Sequence, residues 1–429
     1  MDLMQKKKLL TLTLIPAMCA TAGIAGAQDY FIQEKDKNSS VAARVPAGYE
    51  PLGIRTGGFD IYPKVDMGLE RTDNVFFSDT AKEDDMIFTA RPEVRAQSRW
   101  SRHALMGSVY SNIRRYGDND TQNSEDWGAN AYGRADITRF SNVYGTVNLG
   151  RSSESRGDPS LSENIAEPVK VKNNGFVLGG QFTFNRLRFG IDGGISELDY
   201  TDVRTNDLVN FPSGIQDQDN RDVKFNRLGL RGDYALSPDT SVFVTYEYNE
   251  RKYDLASAAA ERDSNGYNIS IGAAFDLTDL LRGEVRAGYL MQDYDNFAYA
   301  TARGSSFNAQ IEWFPTRLTT VNFNAGRSIN ETPYAGASGF LSTQLSVTVD
   351  HELLRNLVLS AGVLHFDDEY RGLDRNDTRD SLTLGGRYLI NRRLSLKGEY
   401  MHSKLGSEGA SAFRDYTHNS IKFTLGVQY

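Results

Sequence analysis

Five histidines, a recurrent tyrosine and an acidic run are the residues of this 429-residue sequence whose chemistry asks for a use. Among His103, His351, His365, His402 and His418, the most suggestive grouping is His365 with Asp367 and Asp368. A histidine beside carboxylates is the arrangement of a general base in a hydrolase. Parity argues against it, because His365 falls in the apolar row of Leu357, Leu359, Ala361 and Val363. No GxSxG elbow, HExxH zinc motif or phosphate-cradling glycine loop accompanies it. The sequence therefore names no catalytic residue, no cofactor and no metal site. Arg156-Gly157-Asp158 matches an adhesion triplet, but three-residue matches arise by chance. The carboxylates Asp202, Asp207, Asp217, Asp219 and Asp222 do not follow the spacing of a calcium loop.

The elements that must position these residues are strands. From Gly57 onward the chain reads as eighteen segments of roughly 10–15 residues, each alternating with period two. They begin near Gly58, Asp84, Arg102, Asp126, Ser141, Asn173, Leu187, Asp222 and Asp239, then near Asp263, Leu280, Gly304, Leu318, Ala337, Arg355, Thr378, Arg392 and His418. In "TARPEVRAQSRW", Arg91, Glu93, Arg95, Gln97 and Arg99 share one face, while Ala90, Pro92, Val94, Ala96 and Trp100 share the other. In "SVFVTYEYNER", Val242, Val244, Tyr246 and Tyr248 oppose Thr245, Glu247, Asn249 and Arg251.

A soluble sandwich would alternate as well. The connections separate the two cases. Even-numbered segments turn over short stretches such as "TRFSN", "FNRLR", "LSPDT" and "FPTRL", whereas odd-numbered ones run into long polar loops, the largest at 152–174 and 201–222. Short and long connections in strict alternation are the mark of an up-and-down transmembrane β-barrel, with short periplasmic turns and long external loops. Lipid offers the backbone no hydrogen-bond partner, so such a sheet must close. The last segment, "IKFTLGVQY", is then expected to pair with the first, near Phe59 to Leu69. Pro63 and Pro92 each remove a ladder donor, and local bulges are expected there.

The start of the chain reads as a secretory signal over residues 1–27: Lys6 to Lys8, the apolar "LLTLTLIPAMCA", and Ala25-Gly26-Ala27 before Gln28. Residues 28–56 are polar and aperiodic, a periplasmic lead-in, and 57–429 form the barrel. The only cysteine, Cys19, lies in the leader, so no disulfide framework is expected. A formal net charge of −8 with no basic stripe disfavours nucleic acid as a partner. The location expected is the outer membrane of a Gram-negative bacterium. Lipid is the partner there, with anionic lipopolysaccharide and its divalent cations opposite the acidic loop.

Inside such a barrel the polar rows line the passage. They mix signs: Arg91, Glu93, Arg95, Arg99, Glu247, Arg251, Glu284, Arg286, Lys397 and Glu399. Cross-strand ion pairing and selectivity for permeating charge are both open to them. Tyr116, Tyr200, Tyr253, Tyr294 and Tyr370 recur where odd strands enter their long loops. An interfacial girdle is one reading. Parity from the apolar rows places all five on the lumen side, which offers a second: aromatic faces on which sugar rings stack while a chain slides past.

The chain resembles the family known as putative beta-barrel porin 2 over residues 50–429. The resemblance rests on "GFDIYPKVDMGLERTDNVF", "RPEVRAQSRWSRHAL", "AEPVK", "ERDSNGYNISIGAAFDLTDLLRGEVRAGYL", "WFPTRLTTVNFNAGRSINET" and "DHELLRNLVLSAG". It implies an outer-membrane conduit that secretes an exopolysaccharide together with a periplasmic polysaccharide-export protein. It carries no catalytic residue over. A general or substrate-selective diffusion porin is the first alternative, and a rim-located hydrolase using His365 the second.

Overall fold

Alternating rows of apolar and polar residues can satisfy both lipid and water only if the sheet bends round on itself, and it does. The computed structural model describes residues 39–429 except 160, 162, 163, 255–261, 278, 279, 333 and 335. The signal segment and the first part of the lead-in lie outside the described residues. Eighteen strands form the wall. They are β1 (Phe59–Thr72), β2 (Asp85–Ser98), β3 (Ala104–Tyr116), β4 (Ser124–Thr138), β5 (Ser141–Ser153) and β6 (Lys170–Phe184). Then come β7 (Leu187–Tyr200), β8 (Val223–Ser237), β9 (Thr240–Tyr253), β10 (Ser264–Leu277), β11 (Leu281–Tyr294) and β12 (Ala302–Thr316). The circuit is completed by β13 (Thr319–Asn330), β14 (Gly339–Leu354), β15 (Leu357–Arg371), β16 (Asn376–Leu389), β17 (Leu394–Glu408) and β18 (Tyr416–Gln428).

Each strand pairs antiparallel with its sequence neighbours, and β18 closes on β1 from Lys64↔Gln428 to Thr72↔Ser420. A short strand, Ile54–Thr56, adds to the periplasmic end of β1. Two 3-10 turns, Asp120–Gln122 and Asp219–Arg221, are the helical elements among the described residues. The strands run 12 to 16 residues, longer than the ~9–11 needed to cross a bilayer. Their outer ends therefore stand above the lipid. Outward-facing ion pairs mark that level: Lys172–Asp199 at 3.0 Å, Lys224–Asp254 at 2.9 Å and Arg327–Glu369 at 2.8 Å.

Below them the outward row is apolar, with Val109, Leu178, Ile191, Val244, Ile271, Trp313, Val363 and Phe423 all exposed on the outer surface. The intervening row turns inward, where Glu93, Thr146, Ser241, Thr320 and Asp368 are buried against neighbours. Two expectations need correction. Pro63 pairs with Val94 and Pro92 with Val65 in unbroken register, without a bulge. On its other side Pro92 leaves a gap between Ala90↔Ile113 and Glu93↔Tyr110, but the ladder resumes in the same register. The register shifts sit at periplasmic turns instead, at Asp136/Thr138, Ala235/Ser237, Trp313/Thr316 and Glu352/Leu354. The alternation of short and long connections also fails once. The outer connection 372–375 is as short as the turn 390–393, because β15 and β16 extend further outward than their polar ends suggest.

Candidate functional site

The inner wall carries the mixed charges in contact with one another. Glu93 takes Arg95 at 2.5 Å and Arg91 at 3.7 Å. Glu247 of β9 takes Arg286 of β11 at 2.9 Å, and Glu284 takes Arg231 of β8 at 2.8 Å, so both pairs reach across intervening strands. Lys397 meets Glu399 at 2.6 Å, and Arg251 meets Glu331 of the β13–β14 loop. Arg99 lies just beyond β2 at the periplasmic turn, 3.4 Å from Asp60. The more exposed of them, such as Lys397–Glu399, contribute ~0–1 kcal/mol each, so their main effect is on the local field rather than stability.

The outer mouth is crossed by the loop between β5 and β6, in its described residues 154–159, 161 and 164–169. It starts at one wall and its middle reaches the opposite one. The Tyr334 hydroxyl and the Arg375 guanidinium donate to the Pro159 carbonyl at 2.9 and 3.2 Å, from the β13–β14 and β15–β16 connections. Between these points Tyr416 donates to the Gly157 carbonyl at 3.1 Å, and Arg414 donates to that of Arg156. The segment has its own small core, in which Leu161, Ile165, Val169 and Val203 are buried and Tyr200 packs alongside. Glu167 binds Arg204 at 3.0 Å, fastening the loop to the small hairpin of Val203–Arg204 and Ile215–Gln216. We call residues 154–169 the cap.

Arg156 is the strained member of the cap. It is buried, and its guanidinium donates to Gln122 Oε1 at 2.8 Å and to the Ile165 carbonyl at 2.7 Å, while its Nη2 has no partner. Burial, then the nearby positive charge of Arg414, pulls its pKa down to about 10. Glu167 is also lowered, but for the opposite reason: the Arg204 hydrogen bond favours its charged form and holds it below its ordinary value.

The five rim tyrosines do lie on the lumen side, but their rings are engaged. Arg221 sits 4.0 Å over Tyr200, Arg375 4.4 Å over Tyr370, Arg262 5.3 Å over Tyr253 and Arg114 5.7 Å over Tyr116. Tyr294 is buried beside Tyr299, and Tyr370 also stacks on Phe340. Four of these tyrosines thus hold arginines, namely Arg221, Arg262 and Arg375 of the outer connections and Arg114 of β3 itself. The adhesion triplet, discounted in the sequence as a chance match, is buried inside the cap: Arg156 is 8% exposed and Asp158 5%. His365 faces outward and meets Asp380 at 2.8 Å rather than Asp367 or Asp368. Asp202, Asp217 and Asp219 bring three exposed carboxylates together on the outer hairpin.

Sequence reasoning missed the inner mouth. The lead-in turns into the barrel, where Val41 is 1% exposed and its amide donates to Thr320 Oγ1 at 3.0 Å. Arg387 donates to the Ala42 carbonyl at 3.0 Å and Arg44 to that of Arg317 at 2.9 Å. The short apolar run Val41-Ala42-Ala43 in a polar stretch was the available signal.

The family model described as Putative beta-barrel porin 2 matches residues 46–429. The chain belongs to this family. It is a Gram-negative outer-membrane β-barrel of the porin kind, set in lipid. No curated protein sequence matches this porin-family chain. Among solved structures it is similar to OpdL from Pseudomonas aeruginosa, at 12% identity and a TM-score of 0.43, covering 86% of this chain and 98% of that one. OccAB4 from Acinetobacter baumannii gives 11% identity and a TM-score of 0.46, covering 87% and 99%. The siderophore receptor PirA from Pseudomonas aeruginosa gives 9% and 0.43, covering 86% and 80%.

Proposed function

We propose that the protein is a passive, capped conduit through which an exopolysaccharide leaves the outer membrane, handed over by a periplasmic polysaccharide-export protein. The observation that supports it is the fastening of the cap. Arginine and tyrosine side chains hold backbone carbonyls of residues 156–159, so the cap can lift without breaking any barrel ladder. An eighteen-stranded wall is wide enough for a water-filled passage once it does. The protein performs no chemistry in this reading; the driving force belongs to polymerisation and to the export partner. The short periplasmic turns and the seated lead-in form the face that such a partner would meet.

A diffusion porin is the second reading, and the seated cap favours it, since a narrowed mouth passes small solutes at rest. Chromosomal deletion tests the two. The conduit predicts loss of secreted polymer with unchanged uptake of small solutes. Unchanged polymer with slowed uptake would overturn it in favour of the porin.

A further inference from the structure

The charged pairs described above leave a broad part of the wall untouched where three strands meet. On the lumen faces of β12, β13 and β14 the residues at mid-height are amides and hydroxyls: Asn308, Gln310, Asn322, Asn324, Gln344 and Ser346. Register makes them contiguous. Gln310 lies opposite Asn324, which lies opposite Ser346, and Asn308 and Gln344 flank Gly326 in the next row. Their neighbours in sequence, Trp313, Phe323, Leu345 and Val349, are exposed on the lipid face, which fixes the patch inside.

Two features characterise this patch. Its charges stop at the margins: Arg282 with Glu312, and Asp350 with Ser360, below; Asp368 with Arg379 above. And among the described residues its side chains have no hydrogen-bond partner. Five primary amides, each with two donors and an acceptor, face water with that capacity unused.

We infer that this wall is a track for an uncharged, hydroxyl-rich glycan. A hydroxyl is donor and acceptor at once, as a carboxamide is, so a sugar can exchange its water for wall contacts at every residue. Each exchange gains little net free energy, because hydrogen bonds to water are lost on both sides. Weak, repeated and equivalent contacts suit a chain that must move. An anionic polymer would gain nothing here and would be held at the arginines of the opposite wall instead. The inference rests on the conduit reading and names its cargo.

Equilibrium titration of the full chain in detergent tests it, with maltoheptaose as the neutral probe and hexagalacturonate as the anionic one. Wild type and a Gly157→Val variant, whose cap is displaced, are both titrated so that a seated cap hides nothing. Binding of maltoheptaose, weakened about tenfold in Asn322→Leu/Asn324→Leu and unchanged in Thr89→Val on the facing wall, is the expected result. Tighter binding of hexagalacturonate, no binding of maltoheptaose to either form, or an unweakened double variant would overturn it. Retained neutral binding in a strain whose polymer secretion ignores the protein would instead remove the conduit and leave the track.

Discussion

Gly157 decides how closely the cap lies on the mouth. A Cβ there would stand 2.7 Å from Phe77 Cδ1 and 3.0 Å from the Tyr416 hydroxyl, too close for any side chain. Phe77 cannot yield easily. Its φ is +52°, a left-handed conformation costly for a bulky residue, and it is held by stacking on His418 at 4.3 Å. Gly157→Val should therefore lift the cap, raising single-channel conductance severalfold in planar bilayers while the barrel's unfolding temperature stays near wild type. Unaltered conductance would show that the cap does not limit the passage. None of this was legible in the sequence. Parity placed Tyr116, Tyr200, Tyr253, Tyr294 and Tyr370 on the lumen side because period two needs only local counting. That Arg221, Arg262 and Arg375 of the outer connections and Arg114 of β3 itself cover four of those rings is a side-chain fact with no period.

At the scale of elements, the strands were legible and the loops were not. The starts at Ser141 and Leu187 fall where the alternation begins, and the largest displacements, as from Asn173 to Lys170, are at outer ends where apolar residues cease to alternate. The cap is different: Pro159 meets residues 175 and 216 positions away, and nothing in "SSESRGDPSLSENIAEPVK" announces them. Its tie through Glu167 gives a pH dependence. The folded value lies below the ordinary 4.5, so the tie is fully present above 4.5 and is lost as pH falls through the lower folded value. Channel open probability should rise as pH falls below 4.5 through that lowered folded value, and Glu167→Gln should raise it at neutral pH and flatten that acid response. A response surviving in Glu167→Gln would assign it elsewhere. The inner mouth makes a parallel case: deleting residues 39–44 removes Val41 from Thr320 and should increase conductance without altering its acid dependence, as read in the same bilayers.

The whole molecule depends on which row faces lipid, and neighbouring residues of β16 test that directly. Leu382 is 37% exposed and points outward, while Thr383 points into the lumen between Gly362 and Met401. Were the outward row bathed in water, arginine at the exposed position 382 would cost no more than at 383. In a membrane barrel, Leu382→Arg places a charge near the bilayer midplane at a cost of about 2–4 kcal/mol, whereas Thr383→Arg puts it in water among polar groups. Reversible unfolding in phospholipid vesicles should show that difference between adjacent substitutions, and in detergent micelles it should shrink as the head group finds water. Both variants should keep the β1–β18 closure, because neither removes a backbone donor. Equal losses at 382 and 383 would mean that the outward row is not solvated by hydrocarbon, and the passage itself, with cap and track, would lose its walls.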